Sequence, residues 1–255
     1  MKFKRLYFDL EVSPNVVLSW RTGFKINLSP EDIIQERAII CVCYKWEGDS
    51  QINSMVWNKG DDKELVKKFT EILRQADEVI GHNGDKFDIK WFRTRCLYHR
   101  IPCPYKINSV DTLKLAKGNF LFNSNKLDYI GNFLGLGQKI KTGYGLWKDI
   151  LLTNSSKAMK EMVVYCKRDV ELLEQVHTVL KQYVPHKTHV GVLLGGEKID
   201  CPECGSENTY KRGFTILASG VKKQRCQCND CNKWYTVAHT TATKQFRERE
   251  RKDKV

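Results

Sequence analysis

Four carboxylates set inside apolar runs constrain this chain more than any other feature. Asp9 and Glu11 stand in YFDLEVSP, Asp88 in IGHNGDKFDIKWF and Asp169 in VVYCKRDVELL, with Tyr165 one helical turn before the last. The apolar neighbours carry each segment into a core, so separate stretches of chain must gather negative charge away from water. Such a cluster is very costly unless something positive neutralises it. A pair of divalent cations does so economically, and paired ions held by carboxylates are a standard device for cutting phosphodiesters.

Local patterns place these residues on elements. In FKRLYFDLEV, Leu6, Phe8 and Leu10 face one way and Tyr7, Asp9 and Glu11 the other, so both carboxylates leave one face of a strand. RAIICVCYKW and INSMVWN read as two more strands of a meander, turned by Gly48, Asp49 and Ser50. KELVKKFTEILRQA has helical spacing, and DEVIGHN is a short strand. A helix then opens near Phe87 and runs toward Pro102, which puts Asp88 at a strand-to-helix junction, a place where α/β sheets bind ligands. SVDTLKLAK reads as a helix start capped by Asp111 or Thr112. The longest helix ends at Pro185 and carries Tyr165 and Asp169, four residues apart, on one face. Strands first, then strands and helices in alternation, predict a mixed α/β sheet flanked by helices.

These residues carry a resemblance. YFDLEV, GHNGDKFD and YCKRD resemble the three exonuclease motifs of the DEDD superfamily, in its tyrosine-bearing branch. They are most similar to the proofreading 3′–5′ exonuclease domain of family B DNA polymerases. The resemblance covers about residues 1–183, with all five catalytic positions filled. It implies a ribonuclease H-like fold and a metal-dependent 3′–5′ exonuclease that releases nucleoside 5′-monophosphates. In that reading Asp9 bridges two Mg²⁺ or Mn²⁺ ions, Glu11 and Asp169 complete the site of the ion that activates water, and Asp88 holds the second ion. Tyr165 orients the attacking water. Asn83 and Phe87 are assigned to the substrate, a satisfied loop amide being the alternative for Asn83. No polymerase motif follows, which implies a stand-alone exonuclease or a proofreading subunit beside a DNA polymerase or another replication protein. Single-stranded DNA is the favoured substrate, with RNA the alternative.

The cysteines divide in kind. Cys41, Cys43, Cys96, Cys103 and Cys166 lie among apolar residues and read as small core hydrophobes. Cys201 with Cys204, and Cys228 with Cys231, form two CxxC pairs, the spacing of a closed tetrahedral structural Zn²⁺ site. Cys226 is a spare that could replace Cys228. The segment resembles the zinc ribbons at the ends of some transposases and transcription proteins. Its Lys211, Arg212, Lys222, Lys223 and Arg225 suit phosphates, with protein docking a rival use, and Trp234 and Tyr235 either stack on bases or fill the ribbon core, the core being favoured. The expected organisation is a ribonuclease H-like nuclease domain over 1–185, a linker over 186–198, a zinc ribbon over 199–238 and a charged tail, a frayed helix or disordered, over 239–255.

A formal net charge of +13 on 255 residues points to a polyanionic partner. No apolar run is long enough to span a bilayer, and the start MKFKRLYFDLEV lacks the features of a signal peptide, so a cytoplasmic setting is expected. Around the acidic cluster, the glycines of TGYGLW with Tyr144 and Trp147 could line a strand path, core packing being the equal alternative for Trp147, and Lys139, Lys141 and Lys148 would suit phosphates, a solvated basic loop being their commoner meaning. Asp85 reads as a solvated turn residue, and Asp111 as a helix cap rather than a ligand. Two other readings stay open: a resolvase- or transposase-type endonuclease on the same fold, and a catalytically inactive nucleic-acid-binding subunit.

Overall fold

A computed structural model describes residues 3–23, 25–104, 106–140 and 142–252. Its contacts divide the chain into a unit over Lys4–Val176 and a second unit built by His177 onward together with Phe3. No helix among the described residues is long and apolar enough to cross a membrane.

The first unit contains strands β1 (Arg5–Val12), β2 (Val16–Val17), β3 (Ile33–Gln35), β4 (Ile39–Trp46) and β5 (Asn53–Val56), then helix α1 (Lys63–Arg74) and strand β6 (Glu78–Gly81). There follow α2 (Asp88–His99), β7 (Ser109–Asp111), α3 (Thr112–Asn119), α4 (Leu127–Phe133), α5 (Gly145–Thr153) and α6 (Ser156–Leu180), of which the residues from His177 on count with the second unit. The main sheet has the order β5-β4-β1-β6-β7. β1, β4 and β5 are antiparallel, as a meander requires, while β6 and β7 run parallel to β1. The expected mixed α/β sheet is present.

The alternation in β1 separates two faces. Leu6, Phe8 and Leu10 join Val42, Tyr44, Leu65, Phe69, Ile89 and Phe92 in the main core. Phe69 is its hub, with ring centroids 5.5 Å from Phe8 and 5.4 Å from Phe92, the latter edge-on. This face therefore packs on α1 and α2. On the other face, Asp9 pairs in register with Cys43 and Glu11 with Cys41. Helix α6 covers that face: the Cys43 thiol lies 3.8 Å from the Val163 carbonyl, and the Cys166 thiol 3.5 Å from the Asp9 carbonyl.

Sequence patterns did not indicate the excursion between β1 and β4, which carries the β2–β3 pair and is closed by Ser13, whose N–H donates to the Ala38 carbonyl and whose hydroxyl accepts from the Ala38 N–H. A buried ion cluster pins the same region to α2. Asp62 is fully buried and accepts two bonds from Arg95, one from the Ile39 N–H and one contact from His99 at 2.6 Å.

The second unit carries helix α7 (Val190–Leu193), strands β8 (Thr209–Ile216), β9 (Lys222–Cys228) and β10 (Trp234–Ala238), and helix α8 (His239–Lys252). The sheet order is β10-β9-β8. Two expectations need correction, and the tail, expected as a frayed helix or disordered, takes the helical alternative. The stretch 186–198 is not a bare linker, since α7 lies in it with Val190 buried. The charged tail is helical from residue 239, because Ala242 and Phe246, one turn apart, pack with Ile199, Cys226, Tyr235 and Val237. Tyr235 belongs to the ribbon core but Trp234 does not, since adjacent residues of a strand face opposite ways and Trp234 is 52% exposed.

Candidate active site and four-cysteine cluster

Two elements place three of the carboxylates. β1 delivers Asp9 and Glu11, and α6 delivers Asp169, so that one ligand atom from each lies within 4.8 Å of the others. Asp88 stands at the first position of α2 and accepts from the Leu10 N–H at 3.2 Å. It is outside that tight trio but close enough to add negative charge to both Asp9 and Glu11.

The turn before Asp88 is built to place it. Gly81 and Gly84 approach so closely that a Cβ on Gly81 would meet the Gly84 Cα at 3.1 Å. Asn83 sits between them at φ +64°, a conformation asparagine tolerates. Its N–H donates at 2.9 Å to Asp111, which also accepts from the Leu113 N–H at 3.0 Å. Asp111 is thus the cap of α3 and a brace for this turn. His82 contacts the Thr112 hydroxyl at 2.9 Å, and burial lowers its pKa to about 4, which leaves it a neutral structural group. Asp85 is a paired turn residue rather than a merely solvated one, bonding Ser109 and the Lys114 ammonium.

The site is electrostatically unbalanced. Burial, then Asp88, Glu11 and Asp169, push the Asp9 carboxyl well above the usual range. Burial and then Asp169 raise Glu11 to about 8, and burial raises Asp88 to about 7 and Asp169 upward as well. Asp169 Oδ1 is buried with no hydrogen-bond partner among the described residues. An oxygen-rich, over-charged pocket with an orphaned carboxylate oxygen fits hard divalent cations. Tyr165 is raised by burial and by Asp169, so its hydroxyl keeps its proton.

One residue of the site was not foreseen in its actual role. The Lys139 ammonium pairs with Asp169 Oδ2 and lies 5.7 Å from the Tyr165 ring centroid. Burial opposes its charge, but Asp169 and Asp9 outweigh burial and raise its pKa. Lys148 is not part of this pairing, and Lys141 lies outside the described residues. Lys139, His82, Asn83 and Asp128 line a cleft of about 560 Å³ that also receives Lys117 and Lys126. Phe87, 38% exposed, lines a separate hollow of about 400 Å³ with Tyr144 and Trp147. Trp147 in turn packs edge-on against Tyr165 at 6.3 Å.

In the second unit, Cys201, Cys204, Cys228 and Cys231 bring their sulfurs within 4.8 Å of one another. Cys201 and Cys231 lie 3.5 Å apart and Cys204 and Cys228 3.7 Å apart. Zn–S bonds of about 2.3 Å in a tetrahedron give sulfur–sulfur edges of roughly 3.8 Å, so the set fits zinc. The Cys201 pKa is driven up by Cys204 and Cys231, while that of Cys231 falls to about 4, the pattern of thiols that cannot all ionise without a cation. Cys226 is fully buried in the ribbon core and does not join them.

A family model described as RNase_H superfamily matches residues 34–181. The match includes Asp88, Tyr165 and Asp169 and begins after Asp9 and Glu11. No curated protein matches the chain.

Proposed function

Because the chain belongs to the RNase_H superfamily, a group of nuclease-type folds, we propose that it is a divalent-metal-dependent 3′–5′ exonuclease of the tyrosine-bearing DEDD type. The observation that carries this reading is the convergence of Asp9, Glu11 and Asp169 beside the Tyr165 hydroxyl. Asp9, Glu11, Asp169 and Asp88 would hold two Mg²⁺ or Mn²⁺ ions. Such ions lower the pKa of a nucleophilic water and neutralise the leaving oxygen.

The chain's own residues supply the rest. Tyr165 stays protonated, so its hydroxyl can hold the attacking water by a hydrogen bond without taking its charge. The water oxygen bonds to phosphorus and gives up a proton to solvent, the bond from phosphorus to the 3′ oxygen breaks with its electron pair going to that oxygen, and that oxygen takes a proton back from solvent. The products are a nucleoside 5′-monophosphate and a strand with a new 3′ hydroxyl. The cleft holding Asn83, Lys117 and Lys126 would receive the terminal nucleotide and its phosphate, and the Phe87, Tyr144 and Trp147 hollow offers π faces to the next bases. The four-cysteine cluster would hold one structural Zn²⁺, with no open position for catalysis. Single-stranded DNA is the substrate we favour, and proofreading beside a polymerase the role.

A 5′-labelled oligonucleotide incubated with Mg²⁺ tests the reading. Stepwise shortening from the 3′ end with release of 5′-mononucleotides is expected. Internal cuts would place the chain among endonucleases, and binding without cleavage would make it an inactive binder.

A further inference from the structure

The ribbon sheet has two unlike faces. α8 covers one, burying Cys226, Tyr235 and Val237. The register fixes what stands on the other. Tyr210 pairs with Gln227, and Gln227 with Trp234, so these three form one cross-strand row. Tyr210 is 53% exposed and Trp234 52%. Neighbouring strands lie about 4.8 Å apart, which sets the two rings on strands roughly 10 Å from each other across β9.

Basic residues stand beside this row. The Arg212 guanidinium lies 5.5 Å from the Tyr210 ring centroid, and its Nε donates to the Gln227 side chain at 3.0 Å. β8 bulges between Lys211 and Phe214, where Gly213 adopts φ +73°. The bulge matters because a Cβ on Gly213 would come within 3.2 Å of the Arg225 guanidinium, so glycine leaves that group its place on the exposed side. Arg225 pairs with Thr236, and Lys223 with Thr215 and Ala238, continuing the same face. The three strands carry Lys211, Arg212, Lys222, Lys223 and Arg225 and no Asp or Glu.

Two exposed aromatic rings at separate stations, a guanidinium already fixed beside one of them, and a strand surface free of carboxylates match one ligand chemistry: a flexible polyanion whose units present flat π faces. We infer that this sheet face is a stacking platform for single-stranded nucleic acid, with Tyr210 and Trp234 each taking a base and Arg212, Arg225 and Lys223 taking the intervening phosphates. A duplex is a poorer fit, because its bases are already stacked on one another. A protein partner would gain nothing from a face that carries only one sign of charge unless it were itself strongly acidic. The inference goes beyond the nuclease reading and does not depend on it, since it concerns binding without cleavage.

The test uses the full zinc-loaded chain in magnesium-free buffer, with fluorescence anisotropy of two labelled strands. One is a short oligothymidylate, and the other an abasic deoxyribose-phosphate strand of the same length and charge. Stacking contributes about 1–3 kcal/mol per base, so Trp234→Ala and Tyr210→Ala should each weaken oligothymidylate binding by roughly 5- to 150-fold while leaving the abasic strand nearly unaffected. Trp234→Phe should keep most of the affinity, which separates stacking from a loss of ribbon folding. Arg225→Ala should weaken both strands alike and reduce the steepness of the salt dependence. Wild-type oligothymidylate binding by Trp234→Ala overturns the inference and points to a protein partner for this face. So does an equal loss on both strands, which would mean that charge alone holds the strand. Failure of cleavage in Mg²⁺ with the aromatic effect intact would count against the nuclease reading only.

Discussion

Replacing Glu11 by Gln tests whether the acidic cluster is the charge problem that the fold must solve. In the metal-free protein Glu11 is raised from 4.5 to about 8 and Asp88 from 3.8 to about 7, burial being the first cause in each. The folded chain therefore keeps protons that the unfolded chain has released. Between about pH 5 and pH 8 it binds more of them, so the free energy of unfolding falls as pH rises. Moving Glu11 alone from 4.5 to about 8 corresponds to roughly 5 kcal/mol, an upper limit because water reaching its partly exposed side chain screens the repulsion. We expect wild-type protein in zinc-containing, magnesium-free buffer to lose about 2–5 kcal/mol over that window, read by urea unfolding. Glu11→Gln should lose less and be the more stable protein near pH 8. Saturating Mg²⁺ at about 100 times its Kd should restore about 2.7 kcal/mol to the wild type, more effectively at high pH, and far less to the variant. Stability that stays level or rises with pH, or a Mg²⁺ effect undiminished in Glu11→Gln, would refute the reasoning.

Asp169→Asn should lower cleavage by about 10³-fold or more, about 4 kcal/mol of barrier, with the far-ultraviolet dichroism of the wild type; Tyr165→Phe should cost less, about 10²-fold. Wild-type rates in Asp169→Asn would remove the metal assignment. Lys139→Met should destabilise the metal-free protein, which loses the ammonium paired with Asp169, and should tighten Mg²⁺ binding measured by calorimetry; unchanged affinity would show that the ammonium does not compete for the site. Asp62→Asn leaves Arg95 buried without its charge partner and should cost about 3–5 kcal/mol by urea unfolding, with normal cleavage per folded molecule.

Elements with a clean period were legible from sequence, because alternation in β1 and the four-residue spacing of Tyr165 and Asp169 are themselves statements about faces. β7 was missed because three residues, Ser109–Asp111, are too few to show a period. α5 was missed because the glycines of TGYGLW read as loop, and its first residue is Gly145. α8 was legible as a frayed helix, one of two alternatives, but its packing was not, because its two core residues, Ala242 and Phe246, stand among charges. The pairing of Lys139 with Asp169 and of Asp62 with Arg95 joins residues about 30 positions apart, which no local pattern encodes. The exposure of Trp234, by contrast, was available in principle: in a strand, a buried Tyr235 forces its neighbour outward.

If the pocket takes two divalent ions as proposed, charge closure dictates how they and a phosphodiester bind. Among the described residues, ionised Asp9, Glu11, Asp88 and Asp169 with the Lys139 ammonium leave three negative charges in a largely buried pocket. One divalent ion leaves the pocket still negative and repelling a phosphodiester. Two leave a single positive charge, which one phosphodiester group brings to zero. The second ion should then bind weakly alone and strongly with substrate, because each supplies the charge that the other lacks. By linkage, a nucleoside 5′-monophosphate must raise the affinity for that ion by the same factor as the ion raises affinity for the nucleotide, about 5- to 150-fold for a coupling of 1–3 kcal/mol. Titrating Mn²⁺ by electron paramagnetic resonance with and without the nucleotide reads this directly. Two equal sites in the free protein, indifferent to nucleotide, would mean that some further cation already balances the pocket.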